Sequence, residues 1–195
     1  MAIARGELWF APNRRMADID LDDPRGLIDS FCDRINGFFL EPVRHLKTMA
    51  QEEASLFASA LICAATIESL GRFEPALRNT NQPIAAWLQA NISQFRQDVG
   101  GKSAAAYFDE RFRNGIAHEG YVASLGRLGN LSEVVAIDRD VVTINPFLLV
   151  EEIVDWLSRF QDDLKNNRRD VHAFQHRMKE LFETEINRAR QEAAA

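Results

Sequence analysis

The chain has 195 residues, a net charge of −6, 46% hydrophobic and 27% charged residues. That length suits one sizeable core and is short for two full domains. The acidic balance (pI about 5.3) argues against a general nucleic-acid coat and a polybasic membrane anchor, and the 13 Phe and 3 Trp argue against disorder outside the two ends.

Residues 1–23 read as an N-terminal extension, in which Leu8-Trp9-Phe10 is a short strand or an apolar latch. Arg5, Glu7, Arg14 and Arg15 rule against a signal peptide. Asp22 or Asp23 before Pro24 is a helix start, and Leu27, Ile28, Phe31, Ile35, Phe38 and Phe39 recur at helical spacing until Pro42 ends or kinks the helix. The next helix, over 51–71, is apolar nearly all round: across 54–67 its polar residues are Ser55, Ser59 and Thr66. Such a helix belongs at the centre of a bundle. Glu68 falls on the stripe of Phe57, Leu61 and Ala64, where a carboxylate needs either solvent at the helix end or a buried partner such as arginine.

A polar loop follows over 74–83. Ile84, Trp87, Leu88, Ile92 and Phe95 predict an amphipathic helix that Gly100-Gly101 breaks. Another helix starts near Ser103, with Phe108, Phe112 and Ile116 in an i, i+4 row, and stops by Gly120. The period then changes. Val134-Val135-Ala136-Ile137 and Val141-Val142-Thr143-Ile144 around Asp138-Arg139-Asp140 predict a β-hairpin over about 133–144. Asn145-Pro146 opens a helix carrying Leu149, Ile153, Trp156, Leu157, Phe160 and Leu164. A last helix carries Val171, Phe174, Met178, Leu181, Phe182 and Ile186. The expected fold class is mainly all-α, a bundle of five to six helices with a small inserted hairpin, forming a single domain over 24–195. Cys32 and Cys63 lie in apolar helical patterns and read as core residues, not a disulfide or a zinc site. No charge-free run approaches ~18 apolar residues, so the expectation is a cytoplasmic protein with no membrane span.

The chemistry concentrates in Arg113-Asn114-Gly115-Ile116-Ala117-His118. Arg113 offers a permanent charge and a planar donor fork suited to phosphate, Asn114 a donor and an acceptor, and His118 a proton carrier near neutral pH. On an unbroken helix five residues turn ~500°, leaving Arg113 and His118 ~140° apart. Convergence therefore needs a helix end between them or a second copy of the chain.

This run, extended to Phe-Arg-Asn-Gly-Ile-Ala-His-Glu-Gly over 112–120, resembles the Arg-x4-6-His motif of the HEPN superfamily, including the asparagine after the arginine. HEPN domains are compact helical bundles with the motif near a helix end in the later half of the core, and the hairpin resembles an insertion of some plasmid- and defence-associated members. The resemblance extends over 24–165 and is strong in 111–120. It implies a metal-independent endoribonuclease in a toxin–antitoxin or phage-defence role, with the RNA 2′-hydroxyl as nucleophile and no cofactor. It also implies the roles: His118 as acid or base, Arg113 on the scissile phosphate, Asn114 orienting either. A homodimer that brings two motif copies to one cleft is implied too, as is an antitoxin protein as partner. Glu68, Asp109, Glu119 and Tyr121 are candidate supporting residues. Toxin-type members paired with a nucleotidyltransferase carry a tyrosine two residues after the histidine. Here Tyr121 is three residues after it, a departure that puts such regulation in doubt.

Other readings stand beside this one. The domain is otherwise a non-catalytic HEPN-like module binding RNA, nucleotide or a protein partner, or a helical interaction protein in which His118 meets the last helix carbonyls. Arg113 also has Asp109 at i−4 as an ion-pair partner. His172 and His176 have metal-ligand spacing but no evident third ligand. Lys165, Arg168, Arg169, Arg177 and Lys179 form a basic concentration that reads either as an RNA guide or as a solvated face. Asp109, Glu110 and Glu119 surround the motif with negative charge, which opposes tight RNA binding.

Overall fold

A computed structural model describes residues 2–4, 7–49, 52–77, 80–113, 122 and 126–194, the side chains of 2–4, 52 and 113 excepted. The protein is mainly α with a few small sheets. It divides into two compact units, residues 1–39 with 155–195, and residues 40–154.

The first unit includes the N-terminal extension. Strands β1 (Ala2–Ala4), β2 (Glu7–Ala11) and β3 (Arg14–Arg15) form an antiparallel sheet in the order β1-β2-β3. Helix α1 (Pro24–Ile35) begins where the sequence expects: the Asp23 carboxylate accepts a hydrogen bond from the Arg25 amide and Pro24 occupies the first turn. Arg34 anchors the strand to the helix. Its guanidinium donates to the Phe10 carbonyl at 2.7 Å and lies over the Phe10, Phe38 and Phe182 rings at 5.2–5.6 Å. Burial lowers its pKa. Phe31, Phe160 and Phe174 close a second aromatic cluster, with ring centroids 5.7–6.1 Å apart. The last helix, α7 (Val171–Ala193), is capped by Asp170, which accepts from the Ala173 amide. Along it, Gln175 donates to the Leu21 carbonyl and Arg190 to the Ile19 carbonyl, so the extension packs on α7.

The helix after Pro24 does not stop at Pro42. It widens into a π-helical turn over Asn36–Leu40 and resumes as α2 (Glu41–Lys47), with Pro42 in the first turn. A proline cannot donate to the i−4 carbonyl and its ring crowds that carbonyl, so the extra residue in the π turn relieves the clash.

In the second unit α3 (Glu52–Gly71) packs against α2, α4 (Pro83–Asn91) and the helix that carries Arg113. Its segment 53–71 has a mean hydropathy of 1.5, and 56% of it is buried. By length and composition alone it passes for a membrane span; the core helix of a folded unit meets the same test. The fourth helix ends earlier than its apolar pattern, at Asn91. There Arg96 folds back and donates to the Gln89 and Ala90 carbonyls, satisfying the helix end, and Phe95 is delivered from a 3-10 turn instead. β4 (Asp98–Val99) and β5 (Lys102–Ser103) pair across Gly100-Gly101, whose φ angles of 61° and 88° suit glycine. The expected hairpin forms between β7 (Val135–Asp138) and β8 (Val141–Ile144), with Val135 opposite Ile144 and Arg139 at φ 54° in the turn. β6 (Gly126–Leu128) adds a third strand, parallel to β8. β6 also touches α3, which gives the hairpin the packing it needs.

Asn145 ties this sheet to α6 (Pro146–Lys165). It is 1% exposed, donates from Nδ2 to the Leu131 carbonyl at 2.6 Å, and accepts on Oδ1 from the Phe147 and Leu148 amides. Asn145→Ala removes a cap and strands a carbonyl, so urea unfolding is expected to show a loss of about 2 kcal/mol.

Asp29 accepts from Lys165 at 2.6 Å and from Gln161 at 2.9 Å. The Lys165 hydrogen bond outweighs desolvation and, with a lesser contribution from Gln161, holds the Asp29 carboxyl below its ordinary value. A depressed carboxyl stabilises the fold above its unfolded pKa and ceases to as pH falls through the folded one. Asp29→Asn is therefore expected to lower stability at neutral pH by at most about 1 kcal/mol, the pair being largely exposed. The difference from wild type should shrink as pH falls through the lowered range in which Asp29 takes up its proton, as read by thermal melts across pH.

Candidate functional site

The helix that carries the run at Arg113 is built by three local devices. Ser103 caps it, its Oγ accepting from the Ala106 amide at 3.2 Å, and Gln89 donates to the same oxygen at 2.5 Å. Three alanines favour the first turn of α5 (Ala104–Tyr107). The helix then widens to π-helical geometry over Phe108–Arg113. Phe108 and Phe112, both fully buried, share one face at i, i+4 spacing: their rings stack at 5.6 Å and 16°, and Phe95 meets Phe108 edge-on at 5.8 Å.

Asp109 and Glu110 follow Phe108 directly and face another way. With Glu68 of α3 and residues 81–84 they line a cavity of about 190 Å³. Asp109 is 9% exposed. Glu110 is held by Lys102, whose Nζ lies 2.8 Å from Oε2. Glu68 follows the first of the two expected alternatives, solvent at the helix end: its side chain is 35% exposed and lies 3.8 Å from the exposed Arg72 one turn on, not against a buried arginine. Of the residues expected on the same stripe, Phe57 is half-buried. Leu61 is 40% exposed, whereas Ala64 is buried at 2%.

The structure thus brings two of the expected residues, Glu68 and Asp109, to one cavity wall. Arg113 is the last described residue of the helix, one turn beyond Asp109 along the backbone. Asn114, His118, Glu119 and Tyr121 lie outside the described residues. Asn81 and Gln82, at the lip of the cavity, were legible only as part of a polar loop. Loop residues carry no periodicity to say which way they face, so no sequence signal marks them.

The other candidates resolve more simply. Four of the five basic residues named above are in exposed or half-exposed ion pairs: Lys165 with Asp29, Arg168 with Asp163, Arg177 with Glu180 and Lys179 with Asp22, all at 2.6–2.8 Å. Arg169 lies over the Trp156 and Phe160 rings and 3.7 Å from Asp163. This concentration is a charge-balanced face. His176 pairs with Glu180 at 3.2 Å, and His45 Nδ1 meets the Glu41 carbonyl at 2.9 Å. Among the described residues no group of three or more His, Cys, Asp or Glu is arranged to hold a metal ion.

Cys32 and Cys63 are buried, and burial pushes each thiol up to about 12, with Asp29 and Asp33 adding to the shift at Cys32. Cys63 Sγ donates to the Pro146 carbonyl at 3.6 Å. Since the thiolate is the reactive form, neither is a nucleophile at neutral pH. A disulfide reagent at about pH 8 is expected to modify neither in the native protein and both after denaturation. Fast native labelling of either contradicts the packing described.

Compared with protein-family models, with curated proteins and with solved structures, the chain matches none of them.

Proposed function

We propose that the protein is a metal-independent endoribonuclease of the HEPN type, acting as a homodimer in a toxin–antitoxin or phage-defence setting in the cytoplasm. The observation that carries the reading is the sequence run Arg113-Asn114-Gly115-Ile116-Ala117-His118 in a mainly helical protein, its Arg113 closing a π-helical turn whose Asp109 and Glu110 share a cavity with Glu68. π-helical turns inside helices are often kept at functional sites.

The chemistry needs few parts. RNA brings its own nucleophile, the 2′-hydroxyl. In this reading His118 takes the hydroxyl proton or returns one to the 5′-oxygen leaving group, and Arg113 carries the charge that develops on the phosphorus oxygens. Asn114 orients one of the two. The products carry a 2′,3′-cyclic phosphate and a 5′-hydroxyl. Carboxylates near the motif raise the pKa of a neighbouring histidine and hold an arginine fork by charge; Glu68 and Asp109 are the candidates for that support, with Glu119 and Tyr121 beyond them.

The same acidity favours a second reading. Three carboxylates line the cavity next to the helix, a poor surface for a polyanion. A non-catalytic module that binds RNA, nucleotide or a protein partner, such as an antitoxin, needs the arginine but no turnover.

One experiment separates the two. Purified protein incubated with single-stranded RNA in EDTA is expected to give cyclic-phosphate ends, and His118→Ala and Arg113→Ala each to slow cleavage by about 10²–10⁴. Equal cleavage by wild type and both variants marks a contaminating nuclease and removes the first reading. No cleavage, with an RNA-dependent rise in Tm that Arg113→Ala abolishes, selects the second.

A further inference from the structure

The cavity beside the π-helical turn has walls of three chemical kinds. Glu68, Asp109 and Glu110 give it carboxylates, Asn81 and Gln82 give it side-chain amides, and Pro83 with Ile84 gives it an apolar patch. They come from α3, the loop before α4, the first turn of α4 and the π turn, all within the second unit. Burial is graded across it. Asp109 is 9% exposed and Ile84 1%, whereas Asn81 and Gln82 are exposed at the lip. At about 190 Å³ the cavity falls below the ~300–1,000 Å³ usual for drug-sized ligands. It has room for one flat ring system and not for a whole nucleotide.

Which ring system follows from donors and acceptors. An ionised carboxylate only accepts hydrogen bonds, and its two oxygens match a pair of adjacent N–H donors. Of the RNA bases, guanine alone presents such a pair on its Watson–Crick edge, N1–H beside the N2 amino group. Adenine and cytosine each set an acceptor next to the exocyclic amine, and uracil flanks its single N–H with two carbonyls. Each of these turns a lone pair toward a carboxylate oxygen, which costs binding. Guanine O6, on the same edge, needs a donor, and the Asn81 and Gln82 amides supply one. Pro83 and Ile84 offer the ring face an apolar contact. The negative charge is local: Glu110 is held by Lys102 at 2.8 Å and Glu68 lies 3.8 Å from Arg72. A base entering edge-first leaves its phosphates outside.

We propose that this cavity is a guanine pocket, in which Asp109 accepts from N1–H and the N2 amino group while an amide of Asn81 or Gln82 donates to O6. Asp109 is the most buried of the three carboxylates, and hydrogen bonds gain strength where water is excluded. Arg113 follows it by one turn of the same helix, so a base on Asp109 and a phosphate on Arg113 belong to one nucleotide or to neighbours. The inference rests on the run at 113–118 being an RNA site, and it names the base that site takes.

The test is cleavage by the full chain, in EDTA, of single-stranded RNA oligomers that differ at one position: G, inosine, A, C or U. Cleavage beside G is expected to be at least about tenfold faster than beside any other base, and inosine, which lacks the N2 amino group, to lose most of that preference. Asp109→Asn is expected to turn the preference toward adenine, because an amide sets a donor beside an acceptor. Should that variant lose its far-UV helix signal, the inosine comparison on the wild type decides. Cleavage indifferent to the base, or a G preference that inosine retains, overturns the pocket and leaves the enzyme standing. If no RNA is cut, the enzyme falls and nucleoside titration judges the pocket. A rise in Tm with guanosine that inosine and adenosine do not give supports it, and an equal or absent response overturns it. A rise with free arginine and none with guanosine overturns it too, marking the cavity as a seat for a basic protein segment.

Discussion

The stacked pair Phe108 and Phe112, edge-on to Phe95, is the contact on which the arrangement of the second unit turns. Two buried rings four residues apart share one face of the helix and both reach the core, and the backbone between them is π-helical. With these rings seated, Asp109 and Glu110 lie on the cavity wall they share with Glu68. The charges there are held locally, Glu110 by Lys102 and Glu68 by Arg72.

The first unit solves a different problem. Its N-terminal strands are short and an isolated sheet of this size is marginal. Arg34 makes up the difference by placing a cation among Phe10, Phe38 and Phe182 while donating to the Phe10 carbonyl. Burial disfavours the charged form, and the ring faces and the carbonyl offset that cost. Around this centre the surface charges cancel in local pairs, such as Lys179 with Asp22 and Arg14 with Asp33. The −6 net charge thus coexists with a face that neither attracts nor repels a polyanion strongly.

Much of this was legible in the sequence because it is local. Asp23 before Pro24, Ser103 at the expected helix start, and Asn145 before Pro146 each cap a helix where one was expected, since a cap depends only on its own amides. The hairpin was legible because period two differs from period 3.6. The early end of α4 was not, because Arg96 reaches back seven residues to close it. The widening before Pro42 and the π turn at Phe108 were not either, since both answer to a steric or packing demand that periodicity cannot express. Of the cavity wall, Glu68 at its helix end and Asp109 were readable; Asn81 and Gln82 were not, because a loop carries no period.

The sequence by itself determined the helical class, the caps, the hairpin and the one run with the residue types for phosphate and proton chemistry. These follow from contacts within a few residues. Only the tertiary structure decided which face of α3 is inside. That helix is apolar nearly all round, so its own pattern is indifferent to rotation, and the choice fell to its neighbours: packing against α2, α4 and the helix of Phe108 buries Ser59 and Thr66 and turns Leu61 outward. The same rotation brings Glu68 to the wall it shares with Asp109.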